Sequence, residues 1–121
     1  MSGSERRRDP RVALPTSIQY RLLDVPNDLW RGAVATNISA GGLRVRIAQA
    51  LKPSARVELE ITLPDRQEPH HFLAEVMWAK GLPRGGNEYG LAFIEVTPER
   101  QFQIDQIVHF LIRRRVPRWP V

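Results

Sequence analysis

Arginines crowd the start of the chain, where they could bind an anion. Four of them fall within six residues: Arg6, Arg7, Arg8 and Arg11. A guanidinium group can hold a phosphate with two parallel hydrogen bonds, so this run suits an anionic ligand. A solvated tail or a nucleic-acid arm is also open from these residues alone. Pro10 restrains Asp9 to an extended backbone, which favours a shaped arm over a random tail.

A second polar segment, 37–42, has residues that could bind a small ligand. Asn37 and Ser39 are two residues apart, so an extended strand would place both hydrogen-bonding side chains on one face. Gly41 and Gly42 could turn the chain with positive φ, and the missing Cβ of Gly42 would let a ligand approach the backbone. The alternative is a plain hairpin in which Asn37 and Ser39 bond their own backbone, and this segment alone favours it.

The residue patterns of catalytic and metal sites do not occur in the sequence. The chain has no cysteine, and His70, His71 and His109 lack metal-ligand spacing. We expect His70 and His71 to lie in a polar loop on the surface. No pair of acids is marked for acid–base catalysis, and neither a P-loop nor a dinucleotide fingerprint is present. We therefore predict a binding protein without cofactor or metal, and not an enzyme.

The positive charge lies at the two ends of the chain. The net charge is +5, of which residues 1–11 contribute +2, residues 113–121 contribute +4 and the span between them −1. A neutral body with basic ends indicates a local anionic partner and no DNA or RNA surface. No apolar run is long enough to span a membrane, and cysteine is absent, so we expect a cytoplasmic protein.

Hydrophobic periodicity predicts a mainly β chain with one helix. Alternation with period two predicts six strands, near residues 18–22, 30–38, 43–47, 57–63, 72–78 and 89–96. The period then becomes helical: Thr97 can cap a helix that begins at Pro98, with Ile104, Ile107 and Val108 on its apolar face. We predict one domain of three parts: a flexible basic arm (1–11), a six-stranded antiparallel barrel (12–96) and a C-terminal helix (97–116) over one opening.

The two polar segments, in this order, resemble the binding motifs of the PilZ domain family of cyclic di-GMP receptors. That family's pattern is Arg-x-x-x-Arg near the N-terminus, followed by Asp/Asn-x-Ser-x-x-Gly. Residues 7–11 match the first motif and residues 37–42 match the second. The stretches 76–78 and 89–93 are also similar to the family's fifth and sixth strands.

The resemblance implies a PilZ-type β-barrel with a C-terminal α-helix, and cyclic di-GMP as its ligand. It implies six ligand-binding residues: Arg7, Arg8, Arg11, Asn37, Ser39 and Gly42. Arg6 is a secondary candidate, at a position compatible with a stacked ligand dimer. Trp78 is another; it would pack against a base, and a core or barrel-rim tryptophan is its alternative. The bound nucleotide would order the arm and present a surface to an unidentified downstream protein.

Two other functions remain open from the sequence. One is a small nucleic-acid-binding barrel that uses the basic ends as phosphate contacts, although the predicted strands show no array of exposed aromatic residues for stacking bases. The other is a PilZ-like adaptor that binds protein and no ligand. The matching motif pair favours the receptor over both.

Overall fold

Alternating apolar and polar residues form the strands, because this pattern buries one face of a strand and leaves the other in water. The computed structural model describes residues 12–62 and 68–115, and the side chains of residues 17–62 and 68–110. The strands are β1 (Val12–Leu22), β2 (Arg31–Ser39), β3 (Gly42–Ile47), β4 (Arg56–Ile61), β5 (His70–Gly81) and β6 (Asn87–Ile94). The helix α1 (Pro98–Arg115) follows them.

The strands close into a barrel in the order β1-β2-β3-β6-β5-β4, and all neighbours are antiparallel. β1 pairs with β2 on one side and with β4 on the other, which closes the sheet. The predicted six-stranded antiparallel barrel with a C-terminal helix is therefore confirmed.

The barrel interior is an apolar core that also holds two tyrosines. Tyr20 and Tyr89 are almost completely buried. The Tyr20 hydroxyl donates to Oε1 of Gln49 at 2.6 Å. The Tyr89 hydroxyl accepts the Leu51 N–H at 2.7 Å and donates to the Gln49 carbonyl at 3.1 Å. Since a buried hydroxyl without a partner costs about 1–3 kcal/mol, these bonds let tyrosines stand in the core.

The helix begins and packs as its sequence predicts. Thr97 caps it, because its hydroxyl accepts the Arg100 N–H at 3.1 Å. Ile104, Ile107 and Val108 are buried and join the core of the barrel. The apolar spacing of these three residues therefore attaches α1 to the barrel.

Two strands begin earlier than the alternation predicts. β1 starts at Val12 and not near Ile18, and its register on β2 shifts between Ala13 and Thr16, a segment that contains Pro15. A proline has no N–H to give to the ladder, so the pattern is irregular there. The loop prediction for His70 and His71 is also wrong, because these residues open β5. At the start of this strand, His71 stacks on Trp30 with 5.7 Å between ring centroids.

Asp28 anchors the connection between β1 and β2. Its carboxylate accepts the guanidinium of Arg31 at 2.8 Å and the N–H of Leu22 at 2.9 Å. The bond from Arg31, followed by that from Leu22, holds the pKa of Asp28 below its usual value. Both bonds favour the ionised carboxylate, so the folded chain binds this proton less tightly than the unfolded chain.

We expect Asp28 to make the stability of the barrel depend on acid pH. Its contribution is fully present above the unfolded pKa of 3.8 and is lost as the pH falls through the lower folded pKa. Asp28→Asn should therefore lower the free energy of unfolding at about pH 7 and have a smaller effect at about pH 3 in urea titrations. Asp24→Asn is the matched control, since Asp24 is more exposed and lies 3.3 Å from its partner Arg56. An equal effect of Asp28→Asn at both pH values would contradict this role.

Candidate functional site

The hairpin between β2 and β3 carries the second polar motif. Gly42, the first residue of β3, pairs with Ser39 at the end of β2. Ser39 is only 7% exposed, and its hydroxyl donates to the Gly42 carbonyl over a long 3.5 Å. Asn37 is half-buried on the same strand. For Ser39, the structure therefore contains the hairpin bond that the sequence left open as an alternative.

The first strand begins directly beside this hairpin. Val12 pairs with Ile38, and Ala13 pairs with Asn37. Since Val12 follows Arg11 in the sequence, the end of the first motif is joined to the barrel next to the second motif. The whole predicted arm (1–11) lies outside the described residues, and with it the four arginines near the N-terminus: Arg6, Arg7, Arg8 and Arg11. Their contacts with a ligand stay predictions.

Gly42 is required by the contact between β3 and β6. A Cβ at this position would collide with the carbonyl oxygen of Leu91 and would lie 3.1 Å from the Cα of Ala92. Gly41, by contrast, has open space around its Cα. Neither glycine takes the positive φ that the sequence allowed; among the described glycines, Gly85 and Gly86 do. The space at the missing Cβ is thus filled by β6, which gives Gly42 a packing reason where the sequence led us to expect room for a ligand.

A row of paired residues runs from this hairpin across four neighbouring strands of the barrel wall. Asn37 pairs with Arg44 of β3, Arg44 with Gly90 of β6, and Gly90 with Trp78 of β5. Neighbouring strands lie about 4.8 Å apart, so the row is roughly 14 Å long. A Cβ at Gly90 would collide with the indole of Trp78, which therefore lies over the glycine. This placement brings the Arg44 guanidinium 5.5 Å from the centroid of the Trp78 ring.

Trp78 is turned outward by an irregularity in its strand. The register of β5 on β6 shifts between Val76 and Trp78, which ends the alternation of buried residues. Trp78 is 41% exposed and its neighbour Met77 is 64% exposed. This exposure excludes a tryptophan in the core, and contact between Trp78 and a base stays a prediction.

Arg44 lies in the row between Asn37 and Trp78. The sequence around it does not distinguish it from the other outward residues of β3. Its Nε is buried and has no hydrogen-bond partner within the described part of the chain. One sequence signal would have located it. If Ala40 and Gly41 are taken as a two-residue hairpin loop, the register places Arg44 directly opposite Asn37.

Other kinds of site find no support in the described ranges. Across residues 12–62 and 68–115, no group of three or more His, Asp or Glu residues could hold a metal ion. Over the same ranges, no helix has the length and apolar character needed to cross a membrane.

The chain resembles known proteins in both sequence and fold. The model of the PilZ domain family matches residues 5–113. The PilZ domain of YcgR from Escherichia coli, solved with c-di-GMP, superposes with a TM-score of 0.72 at 20% identity, over 90% of this chain and 93% of that one. The PilZ domain of CeSA from a cellulose-synthesizing bacterium gives a TM-score of 0.67 at 16% identity, over 85% and 98%. No curated protein sequence matches the chain.

A longer structure shares the same fold. The inhibitor of motility MotI/DgrA from Bacillus subtilis superposes with a TM-score of 0.66 at 21% identity, over 89% of this chain. The match covers 50% of that protein, so this chain spans half its length. Identities at this level show the shared fold.

The closed barrel and its terminal helix define a small β-barrel domain. The family match extends over nearly all of its residues. The chain belongs to the PilZ domain family.

Proposed function

We propose that the protein is a receptor for cyclic di-GMP. One observation carries the proposal: Val12 pairs with Ile38, between Asn37 and Ser39, so the first motif is joined to the strand that bears the second. Two motifs far apart in the sequence can then act on one ligand. Family membership supports the proposal, as does the solved PilZ domain of YcgR with c-di-GMP.

The proposed ligand residues match the chemistry of the nucleotide. Cyclic di-GMP has two phosphates and two guanines, and it is anionic. Arg7 and Arg11 can each hold a phosphate bidentately or donate to O6 and N7 of a guanine. Asn37 and Ser39 offer hydrogen bonds from the barrel, provided that the Ser39 hydroxyl exchanges its long bond to Gly42 for the ligand.

Four further residues complete the proposed site. Arg8 is a third arginine contact, and Gly42 offers its backbone to the ligand from the face away from Leu91. Trp78 provides an exposed indole for a base. Arg6, ahead of the motif, sets whether one or two nucleotides bind.

The proposed output is a protein–protein signal and not a reaction. Binding would order the basic arm across the barrel, with the entropy cost offset by charge-assisted hydrogen bonds. The ordered arm and the nucleotide would together form a surface that a downstream protein reads. We propose that this occurs in the cytoplasm and requires no cofactor.

Titration calorimetry with cyclic di-GMP tests the receptor function directly. We expect saturable binding with a ratio of one or two nucleotides per chain. The absence of binding would overturn the proposal. In that case, steeply salt-dependent binding of RNA or DNA would favour the nucleic-acid barrel, and binding of neither would favour the adaptor without ligand.

A further inference from the structure

Among the residues that the structure describes, Arg44 has no acid beside it, unlike the other strand arginines of the barrel. Four arginines of the described strands pair with carboxylates within 4.0 Å: Arg21, Arg31, Arg46 and Arg56. Within the described residues, Arg44 has the indole of Trp78 as its side-chain contact, and its buried Nε has no acceptor. A buried donor without a partner is unfavourable, so this side chain would gain by rotating toward an acceptor that a ligand brings in.

The surroundings of Arg44 favour a flat acceptor. On one side along the row is Asn37, and on the other the half-exposed indole of Trp78 lies over Gly90. A planar base can stack on an exposed indole, and its edge can then reach the neighbouring guanidinium. Guanine presents two acceptors, O6 and N7, on one edge. Adenine presents N7 beside an amino group. Because a guanidinium has only donors, it cannot accept a hydrogen bond from that amino group.

We infer that Arg44 is a specificity-determining residue that binds the O6 and N7 edge of a guanine stacked on Trp78. This inference rests on the proposed function, since the guanine belongs to cyclic di-GMP. Arg44 would add a contact on β3 to those of the two motifs. The residues from Asn37 to Trp78 would then form one surface that binds the base. The arm would then hold the phosphates while the row selects the base.

Competition binding against labelled cyclic di-GMP tests the inference, with cyclic di-AMP as the second competitor. We expect Arg44→Ala to weaken the binding of cyclic di-GMP roughly five- to 150-fold, the usual value of one bidentate contact to guanine, and to leave the weak binding of cyclic di-AMP nearly unchanged. Arg44→Lys keeps the charge and loses the planar fork, so it should also lose most of the preference for guanine. Arg46→Ala is the matched control. Arg46 lies two residues further along β3, is well exposed and has Glu88 as its partner, so its loss should change neither affinity.

The outcomes separate this inference from the proposed function. If the wild type does not bind cyclic di-GMP, both are overturned. If the wild type binds it and Arg44→Ala binds it equally well, the role of Arg44 alone is overturned. An equal loss for both dinucleotides would also overturn it, because that is the result expected if Arg44 only supports Trp78. A loss confined to cyclic di-GMP, with Arg46→Ala unchanged, supports the inference.

Discussion

Replacing Arg11 with alanine should weaken cyclic di-GMP binding roughly five- to 150-fold, which corresponds to about 1–3 kcal/mol. Arg11 directly precedes Val12, and Val12 pairs with Ile38 in the strand of the second motif. Arg11 is thus attached through the chain to the barrel at the proposed site. The variant loses a charge-assisted contact to phosphate or guanine, and titration calorimetry measures the change. Arg7→Ala should give a loss of similar size.

A matched variant separates a contact from a general effect of charge. Arg84→Ala removes the same unit of positive charge from an exposed loop beyond β5, on the side where Ile47 pairs with Asn87. Charges further apart than about 8 Å are largely screened at physiological salt, so this variant should bind like the wild type. Equal losses of affinity for Arg11→Ala and Arg84→Ala would show that the arm attracts the nucleotide only through its overall charge. Unchanged binding by both Arg7→Ala and Arg11→Ala would exclude the first motif from the site.

The fold was predictable because its periodic segments carry strong local signals. In β4, Val57, Leu59 and Ile61 alternate with acids, and all three are buried in the barrel. Thr97 and Pro98 mark the start of the helix by their own chemistry, since one caps the helix and the other is suited to its first turn. Such signals depend on neighbours in the sequence and need no knowledge of the rest of the chain.

Local pattern is a poorer guide where contacts between strands override it. The alternation in β5 places Trp78 with the inward Val76, but the register shift on β6 turns it outward. His71 follows a polar, turn-rich stretch, yet it lies in a strand where it stacks on Trp30 and approaches Glu60 at 3.0 Å. These partners are distant in sequence, so no local window contains the information.

The candidate site was predictable only where its residues are close together in the sequence. Asn37, Ser39 and Gly42 stand out as a motif because they are close in sequence. Arg44 acquires its place from pairing with Asn37 and Gly90, and a cross-strand relation of this kind leaves little trace in the local pattern. In its sequence pattern, a binding residue on a strand can therefore look like any other solvent-exposed strand residue.

Gly42→Ala should destabilise the protein by about 1–3 kcal/mol, the usual range for overfilling a packed site. The new Cβ would meet the carbonyl oxygen of Leu91, which is backbone and cannot rotate away, so β3 and β6 must separate. The substitution also restricts the unfolded chain, which favours folding by about 0.4–1 kcal/mol at positions without strain. The steric term is the larger of the two, so the net effect is a loss, measurable as a lower urea midpoint.

The adjacent glycine provides the control that separates packing from ligand binding. Gly41 has no atom near its missing Cβ and no positive φ, so Gly41→Ala should leave the urea midpoint unchanged or raise it slightly. If Gly42→Ala keeps full stability and loses only the binding of cyclic di-GMP, then Gly42 serves the ligand and the packing argument is wrong. If stability falls and the folded fraction still binds with wild-type affinity, Gly42 belongs to the barrel, and the second motif recognises its ligand through Asn37 and Ser39. A loss of both properties assigns the glycine to both, because the separation of β3 and β6 would then also shift Arg44 from its place beside Asn37.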